Sequence, residues 1–226
     1  MNSERSQHGR RRSPSGGPGS PRSGRDEGQP APARPGRWRV LPALVWFLAA
    51  AGFASPAGAG ERFATVFAGL ASNESVGKTT AFRAGTFDSY LLALGLAQTV
   101  GRHGHWARWE AEVQAVKHMG LQTHGEANGL VILRWLAFPW NAYLPTSVAV
   151  GDGLSYATRV PEVEIRRHGR STRLLNYLLF EITLALPGEQ RWSLSLRQHH
   201  RSGVFGLHDG VHGGSDFWGA GLRRLF

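Results

Sequence analysis

The chain has 226 residues and no Cys, and 26 Lys and Arg against 16 Asp and Glu give it a formal charge of +10. That length allows one domain or one barrel, and the absence of Cys excludes disulfides. Residues 1–39 hold nine Arg against three acids, whereas residues 60–226 hold 17 basic and 13 acidic residues. Much of the excess charge therefore lies outside the region able to fold, and a nucleic-acid partner is not expected.

Residues 1–59 have the pattern of an export signal that follows a polar extension. Residues 1–39 are too polar and too rich in Pro and Gly to build a core, so we expect them to be disordered. An apolar run, Leu41 to Ala54, comes next and is followed by Ala57-Gly58-Ala59. A basic region, a short apolar core and an Ala-x-Ala site predict a signal peptide cleaved near Ala59. An N-terminal membrane anchor is the alternative.

The remaining residues, 60–226, alternate between apolar and polar positions in eight segments, which is the pattern of β-strands. The segments lie near 62–70, 88–100, 105–117, 127–137, 146–157, 174–186, 190–202 and 215–226. The third is the clearest, because Trp109, Ala111, Val113 and Ala115 share one face. A soluble sandwich also alternates, but in a membrane barrel the apolar face looks outward to lipid and the inner face can be polar.

The connections and the last strand favour the barrel. Connections 71–87, 118–126, 158–173 and 203–214 are mostly long and polar, and those at 101–104, 138–145 and 187–189 are shorter. Long outer loops and short periplasmic turns are typical of outer-membrane barrels. The last segment, with Trp218, Ala220, Leu222 and the terminal Phe226 on one face, resembles their closing strand. We therefore predict an all-β fold, an eight-stranded antiparallel up-and-down transmembrane β-barrel in the outer membrane of a Gram-negative bacterium.

Two other groups of side chains follow from this plan. Aromatic residues toward the segment ends are expected to form interfacial girdles: Trp106, Trp135, Trp140, Tyr143, Tyr156, Tyr177, Trp192 and Trp218. Four acids are expected in the lumen, paired with Arg108, Arg134 or other bases: Glu110, Glu112, Glu126 and Glu181.

The candidate site lies where segments seven and eight meet at the outer rim. Counting by twos from Leu196 places His200 and Ser202 on the apolar outer face of segment seven. Asp216 shares the parity of the outward residues of segment eight. If paired residue numbers sum to 416, His200 lies opposite Asp216, and Phe226 lies opposite Gln190. Ser202, His200 and Asp216 could then act as nucleophile, base and orienting acid.

A His-x-Ser pair on the penultimate strand, with an acid on the last strand, resembles the outer-membrane lipid A 3-O-deacylase family. The resemblance implies that His200, Ser202 and Asp216 face outer-leaflet lipid and hydrolyse an ester-linked acyl chain of lipid A. This chain has Gly203 where the family usually has Asn, and Asp216 where the family has Glu. A solvated loop start, with its basic residues on lipid phosphates, is the alternative interpretation of this stretch.

Arginines near the outer rim fit a lipopolysaccharide surface, because Arg pairs bidentately with phosphate and lipid A carries phosphates. The lipid-phosphate candidates are Arg166, Arg167, Arg170 and Arg201, with His168 and Arg173 nearby. An ordinary solvated loop, in which Glu162 and Glu164 are the partners of these arginines, is the alternative.

No cofactor or metal is expected. Gly77-Lys78-Thr79 resembles the end of a phosphate-binding loop, but the glycine that should precede it is Ser72. Four histidines without metal-ligand spacing are expected at the surface: His103, His105, His118 and His124. The alternative function is a non-enzymatic small outer-membrane barrel with a structural or adhesive role. A channel is disfavoured because eight strands leave room only for side chains.

Overall fold

A computed structural model describes residues 60–72, 86–189 and 191–226. The predicted extension and signal peptide, residues 1–59, lie outside the described residues, as does Gly77-Lys78-Thr79. The described elements, in chain order, are β1 Arg62–Ser72, β2 Thr86–His103, β3 Ala107–Gly120, β4 Gly125–Trp135, β5 Thr146–Ala157, α1 Glu162–His168, β6 Leu174–Leu184, β7 Trp192–Ser202 and β8 Gly214–Leu225. Among these residues, no helix is long and apolar enough to cross a membrane.

The eight strands form one closed barrel. Each strand pairs antiparallel with the next in sequence, and β8 pairs with β1, from Phe63 opposite Leu225 to Ser72 opposite Asp216. The predicted eight-stranded antiparallel up-and-down barrel is confirmed, and the predicted segments match the strands to within three residues at each end. Closure pairs both edges of the sheet, so no edge strand is left to aggregate.

The outer surface of the barrel carries the apolar residues. Alternation along each strand sends one set of side chains outward, where large hydrophobic residues are roughly half exposed. This outer belt includes Val66, Leu70, Leu92, Leu94, Leu96, Val131, Val150, Phe180, Ile182, Leu194, Leu196 and Leu222. A continuous belt of this kind is far larger than the apolar patches that soluble proteins expose. It matches the lipid-facing band of a transmembrane barrel.

The lumen is filled by paired charges. We call the six residues Glu110, Glu112, Glu181, Arg134, Arg197 and Arg223 the central charged layer; all are buried. Arg134 Nε lies 3.0 Å from Glu110 Oε1, and Arg197 Nη1 lies 2.7 Å from Glu112 Oε1. The expected lumenal positions of these acids are confirmed. The layer balances three carboxylates with three guanidinium groups, as burial of ions requires.

Tyr177 does not belong to an interfacial girdle, and that expectation is wrong. It alternates in phase with Leu175 and Leu179, so its ring points into the lumen and is only 1% exposed. The environment of Tyr177 is set by the alternation of inward and outward side chains along β6, and not by its position near a strand end.

The two ends of the barrel differ. We call the end that carries the β1–β2, β3–β4, β5–β6 and β7–β8 connections the loop rim, and the opposite end the terminal rim. At the loop rim, α1 lies within the segment expected to be only a polar loop. Its Val163 is buried, and its Glu164 accepts hydrogen bonds from Arg201 Nη1 at 2.7 Å and Ser215 Oγ at 2.8 Å. The helix therefore anchors the β5–β6 connection to lumenal side chains.

Candidate active site

The register of β7 on β8 brings an imidazole and a carboxylate together. His200 is paired with Asp216, and the described pairs from Trp192–Arg224 to Ser202–Gly214 all follow the expected register. Gln190, the expected partner of Phe226, lies outside the described residues. His200 Nδ1 is 2.8 Å from Asp216 Oδ1. The sequence thus correctly predicted which acid the histidine would meet.

Asp216 is held by two further side chains. Gln198 Nε2 donates a hydrogen bond to Asp216 Oδ1 at 2.9 Å, and Arg167 Nη1 lies 4.0 Å from Asp216 Oδ2. Arg167 also donates to the carbonyl oxygen of Ser72 at 3.1 Å, across the β1–β8 seam. The carboxylate is only 3% exposed. It is therefore fixed with one oxygen toward His200, which is the arrangement an orienting acid needs.

Ser202 lies two residues beyond His200 on the same face of β7. Its Oγ accepts a hydrogen bond from the backbone N–H of Val204 at 3.2 Å. Within the described chain, Ser202 Oγ forms no hydrogen bond with His200, and His200 Nε2 has no hydrogen-bond partner. The free Nε2 is the nitrogen that would have to receive the proton of a serine nucleophile. Such bonds are often loose without substrate and tighten only in the reacting complex.

The turn after Ser202 is built tightly. A Cβ at Gly203 would lie 1.9 Å from the carbonyl oxygen of Val211, so no Asn side chain could occupy this position without moving the loop. Val204 has a φ of 46°, which is strained for a β-branched residue. The strain aims the Val204 N–H at Ser202 Oγ. A backbone N–H donor therefore contacts the Ser202 hydroxyl in this turn.

The four lipid-phosphate candidates fall into two pairs. Arg166 and Arg170 are exposed on the loop rim, and Arg166 Nε lies 3.4 Å from Glu162 Oε1, the partner that the alternative interpretation gave it. Arg167 is mostly buried and engaged with Ser72 and Asp216, as described above. Arg201 is 0% exposed inside the lumen, where it bonds Ser155, Glu164 and the carbonyl oxygen of Arg173. Its expected position at a lipid phosphate is corrected, because inward parity on β7 removes it from the surface.

The histidine expectations are also corrected in part. His103 and His105 are exposed at the terminal rim, as expected. His118 and His124 are 1% and 4% exposed, so their expected surface positions are wrong. His118 shares the inward parity of Glu112 on β3, a signal that the alternation already contained.

No family model matches the chain, and no curated protein matches it. Among solved structures, the chain is similar to one described as the crystal structure of the outer membrane enzyme PagL. The sequence identity is 11% and the TM-score is 0.49, and the alignment covers 71% of this chain and 98% of that one. The fold assignment rests on the closed strand register itself.

Proposed function

We propose that this protein is an outer-membrane serine esterase that removes an ester-linked acyl chain from lipid A. The observation that supports the proposal most strongly is the 2.8 Å contact between His200 Nδ1 and Asp216 Oδ1 on the outer face of the barrel. A histidine oriented by a buried acid, with a serine two residues along the same face, has the composition of a Ser-His-Asp triad.

In the proposed reaction, the Asp216 carboxylate keeps the proton of His200 on Nδ1, so that Nε2 is the base. Ser202 rotates, gives its proton to Nε2, and its Oγ attacks the carbonyl carbon of the acyl ester. When Ser202 Oγ moves away, the Val204 N–H that it releases would be available as a donor to the oxygen that becomes negative. Collapse of the tetrahedral intermediate releases the sugar hydroxyl, which takes the proton from His200, and leaves an acyl group on Ser202.

Water completes the cycle. His200 Nε2 removes a proton from a water molecule, the resulting hydroxide attacks the acyl-serine carbonyl, and the fatty acid leaves as Ser202 recovers its proton. Both half-reactions use the same base, which the acid holds in one orientation throughout.

The location of the three side chains argues for a lipid substrate. They lie at the loop rim, above Leu194 and Leu196 of the outer belt on β7, with Gln198 between Leu196 and His200. An acyl chain lying along the belt would present its ester at the level of His200 and Ser202. Arg166 and Arg170 remain exposed at the same rim, where they would pair with lipid phosphates.

The deciding experiment is mass spectrometry of lipid A from cells with and without the protein. We expect the protein to produce a lipid A species smaller by one acyl chain, and Ser202→Ala to abolish it. Ser193→Ala is the matched control, because Ser193 lies on the same strand at the terminal rim. If lipid A is unchanged when the folded protein is abundant in the outer membrane, the enzyme proposal fails. The remaining hypothesis is then a non-enzymatic barrel with a structural or adhesive role.

A further inference from the structure

Three metal-ligating side chains converge inside the barrel near the loop rim, away from the outer face that carries His200. They come from three strands: His118 from β3, Glu126 from β4 and His199 from β7. All three side chains are buried, and their candidate ligand atoms lie within 4.8 Å of one another. His118 Nε2 is 3.0 Å from Glu126 Oε2, and His199 Nε2 is 3.0 Å from Glu126 Oε1.

His199 is polar, buried and unsatisfied. Its side chain is 0% exposed, and among the described residues neither ring nitrogen makes a well-aligned hydrogen bond. Glu126 Oε1 has none either, because the 3.0 Å approach of His199 Nε2 lacks the alignment of a hydrogen bond. Buried polar atoms almost always have partners, and a cation bound by both His199 Nε2 and Glu126 Oε1 would complete this poorly aligned 3.0 Å contact. The ring of His199 is held by Tyr177, with 4.6 Å between centroids.

The charges of this region are compatible with a bound cation. Two buried carboxylates, Glu126 and Glu164, face a single buried guanidinium group, that of Arg201, among the described residues. The other titratable groups around them are the rings of His118, His124 and His199, the phenol of Tyr177 and the exposed Lys117. Arg201 can neutralise only one of the two carboxylates, so the second positive charge must come from the histidine rings beside Glu126 or from a bound cation.

We propose that His118, Glu126 and His199 bind a divalent transition metal, with Zn²⁺ the best match. Two imidazole nitrogens and one carboxylate oxygen form a common zinc ligand set that leaves a fourth position for water. Calcium and magnesium prefer sets made only of oxygen. The metal would satisfy His199 Nε2 and Glu126 Oε1 together and would supply the second positive charge. It would also link β3 and β4 to β7 across the lumen.

The neighbours of the site would adjust in a defined way. Gln122 Nε2 now lies 3.2 Å from His118 Nδ1, and Gln122 Oε1 accepts the N–H of Val163 in α1. With the metal on Nε2, the proton of His118 must be on Nδ1, so the Gln122 amide must turn to present its oxygen. Metal binding would therefore change the hydrogen bond between Gln122 and Val163 of α1, the helix that anchors the β5–β6 connection. This inference does not depend on the proposed esterase activity.

The test is metal uptake by the untagged barrel, because a polyhistidine tag would itself bind zinc. The protein is folded in detergent with Zn²⁺, dialysed against metal-free buffer and assayed by elemental mass spectrometry. We expect close to one zinc per chain. His199→Ala and Glu126→Gln should lose it, and His105→Ala, which removes an exposed histidine at the terminal rim, should keep it. Equal uptake by His199→Ala and the unmodified chain would overturn the proposal.

A second measurement covers the case in which the variants fail to fold. Co²⁺ replaces Zn²⁺ in the unmodified barrel, and the visible absorption of tetrahedral Co²⁺ with nitrogen and oxygen ligands is recorded. A tetrahedral spectrum that excess Zn²⁺ abolishes would support the site. An octahedral spectrum, or no retained metal, would show that His118, Glu126 and His199 form only a hydrogen-bonded network.

Discussion

His200 and Asp216 face each other directly across the β7–β8 pair, and their side chains meet at 2.8 Å on the outside of a closed barrel. Such a pair is costly on a surface that borders lipid, where polar side chains are disfavoured. Gln198 and Arg167 complete its hydrogen bonding and charge, so the arrangement is built rather than incidental. A structural strand pair on this face would carry apolar residues, as Leu196 and Ala220 do two steps below, beyond the pair of Gln198 and Trp218.

The first prediction concerns the catalytic side chains. Ser202→Ala and His200→Ala should each lower deacylation on the order of a millionfold, to background, while Asp216→Asn should lower it by about ten-thousandfold. The orienting acid contributes less than the nucleophile or the base. Rates are measured on purified lipid A in detergent, with barrel assembly checked by heat-dependent electrophoretic mobility. Ser193→Ala should retain full activity, and a Ser202→Ala protein that still releases fatty acid would contradict the assignment.

The second prediction separates the arginines of the loop rim. Arg167→Met should lower kcat roughly tenfold with little change in KM, because Arg167 acts on Asp216 and not on the substrate. Arg166→Met and Arg170→Met should instead raise KM and leave kcat unchanged, and their effect should shrink at high salt as surface charges are screened. Steady-state kinetics on lipid A with and without its phosphates checks the split. A rise in KM for Arg167→Met would indicate instead that Arg167 binds a phosphate of the substrate.

Much of this molecule could be predicted from alternation alone. Period-two patterning defined all eight strands, and the same parity, extended across one assumed register, placed His200 opposite Asp216. The prediction of a residue's environment fails where residue type, or a position near a strand end, is given more weight than alternation. Tyr177, His118 and Arg201 were assigned to the surface although each has the parity of lumenal neighbours. The helix α1 could not be predicted, because Glu164 turns inward only to meet Arg201 and Ser215, a contact that depends on closure.

The third prediction concerns the central charged layer. Arg134→Met should lower the free energy of unfolding by about 3–5 kcal/mol, because it removes a fully buried guanidinium group that contacts both Glu110 and Glu181. Urea titration of the refolded barrel measures the change. Arg102→Met is the matched control, since Arg102 pairs with Glu61 but is 47% exposed, and its cost should stay below about 1 kcal/mol. Equal costs for both variants would mean that the lumen is hydrated well enough to solvate the carboxylates.

The fourth prediction tests whether the outer belt borders lipid. Leu94 and Val100 lie on β2, and both point outward with about half of their surface exposed, at 50% and 52%. Leu94 is near the middle of the strand, and Val100 is close to the terminal rim. In a bilayer, Leu94→Arg should therefore cost about 2–4 kcal/mol of unfolding free energy, whereas Val100→Arg should cost no more than about 1 kcal/mol. Reversible unfolding from lipid vesicles measures both values. If the belt faced water, arginine at either site would be hydrated, and both costs would be small and nearly equal. A larger cost for Leu94→Arg than for Val100→Arg is the result that supports a transmembrane belt.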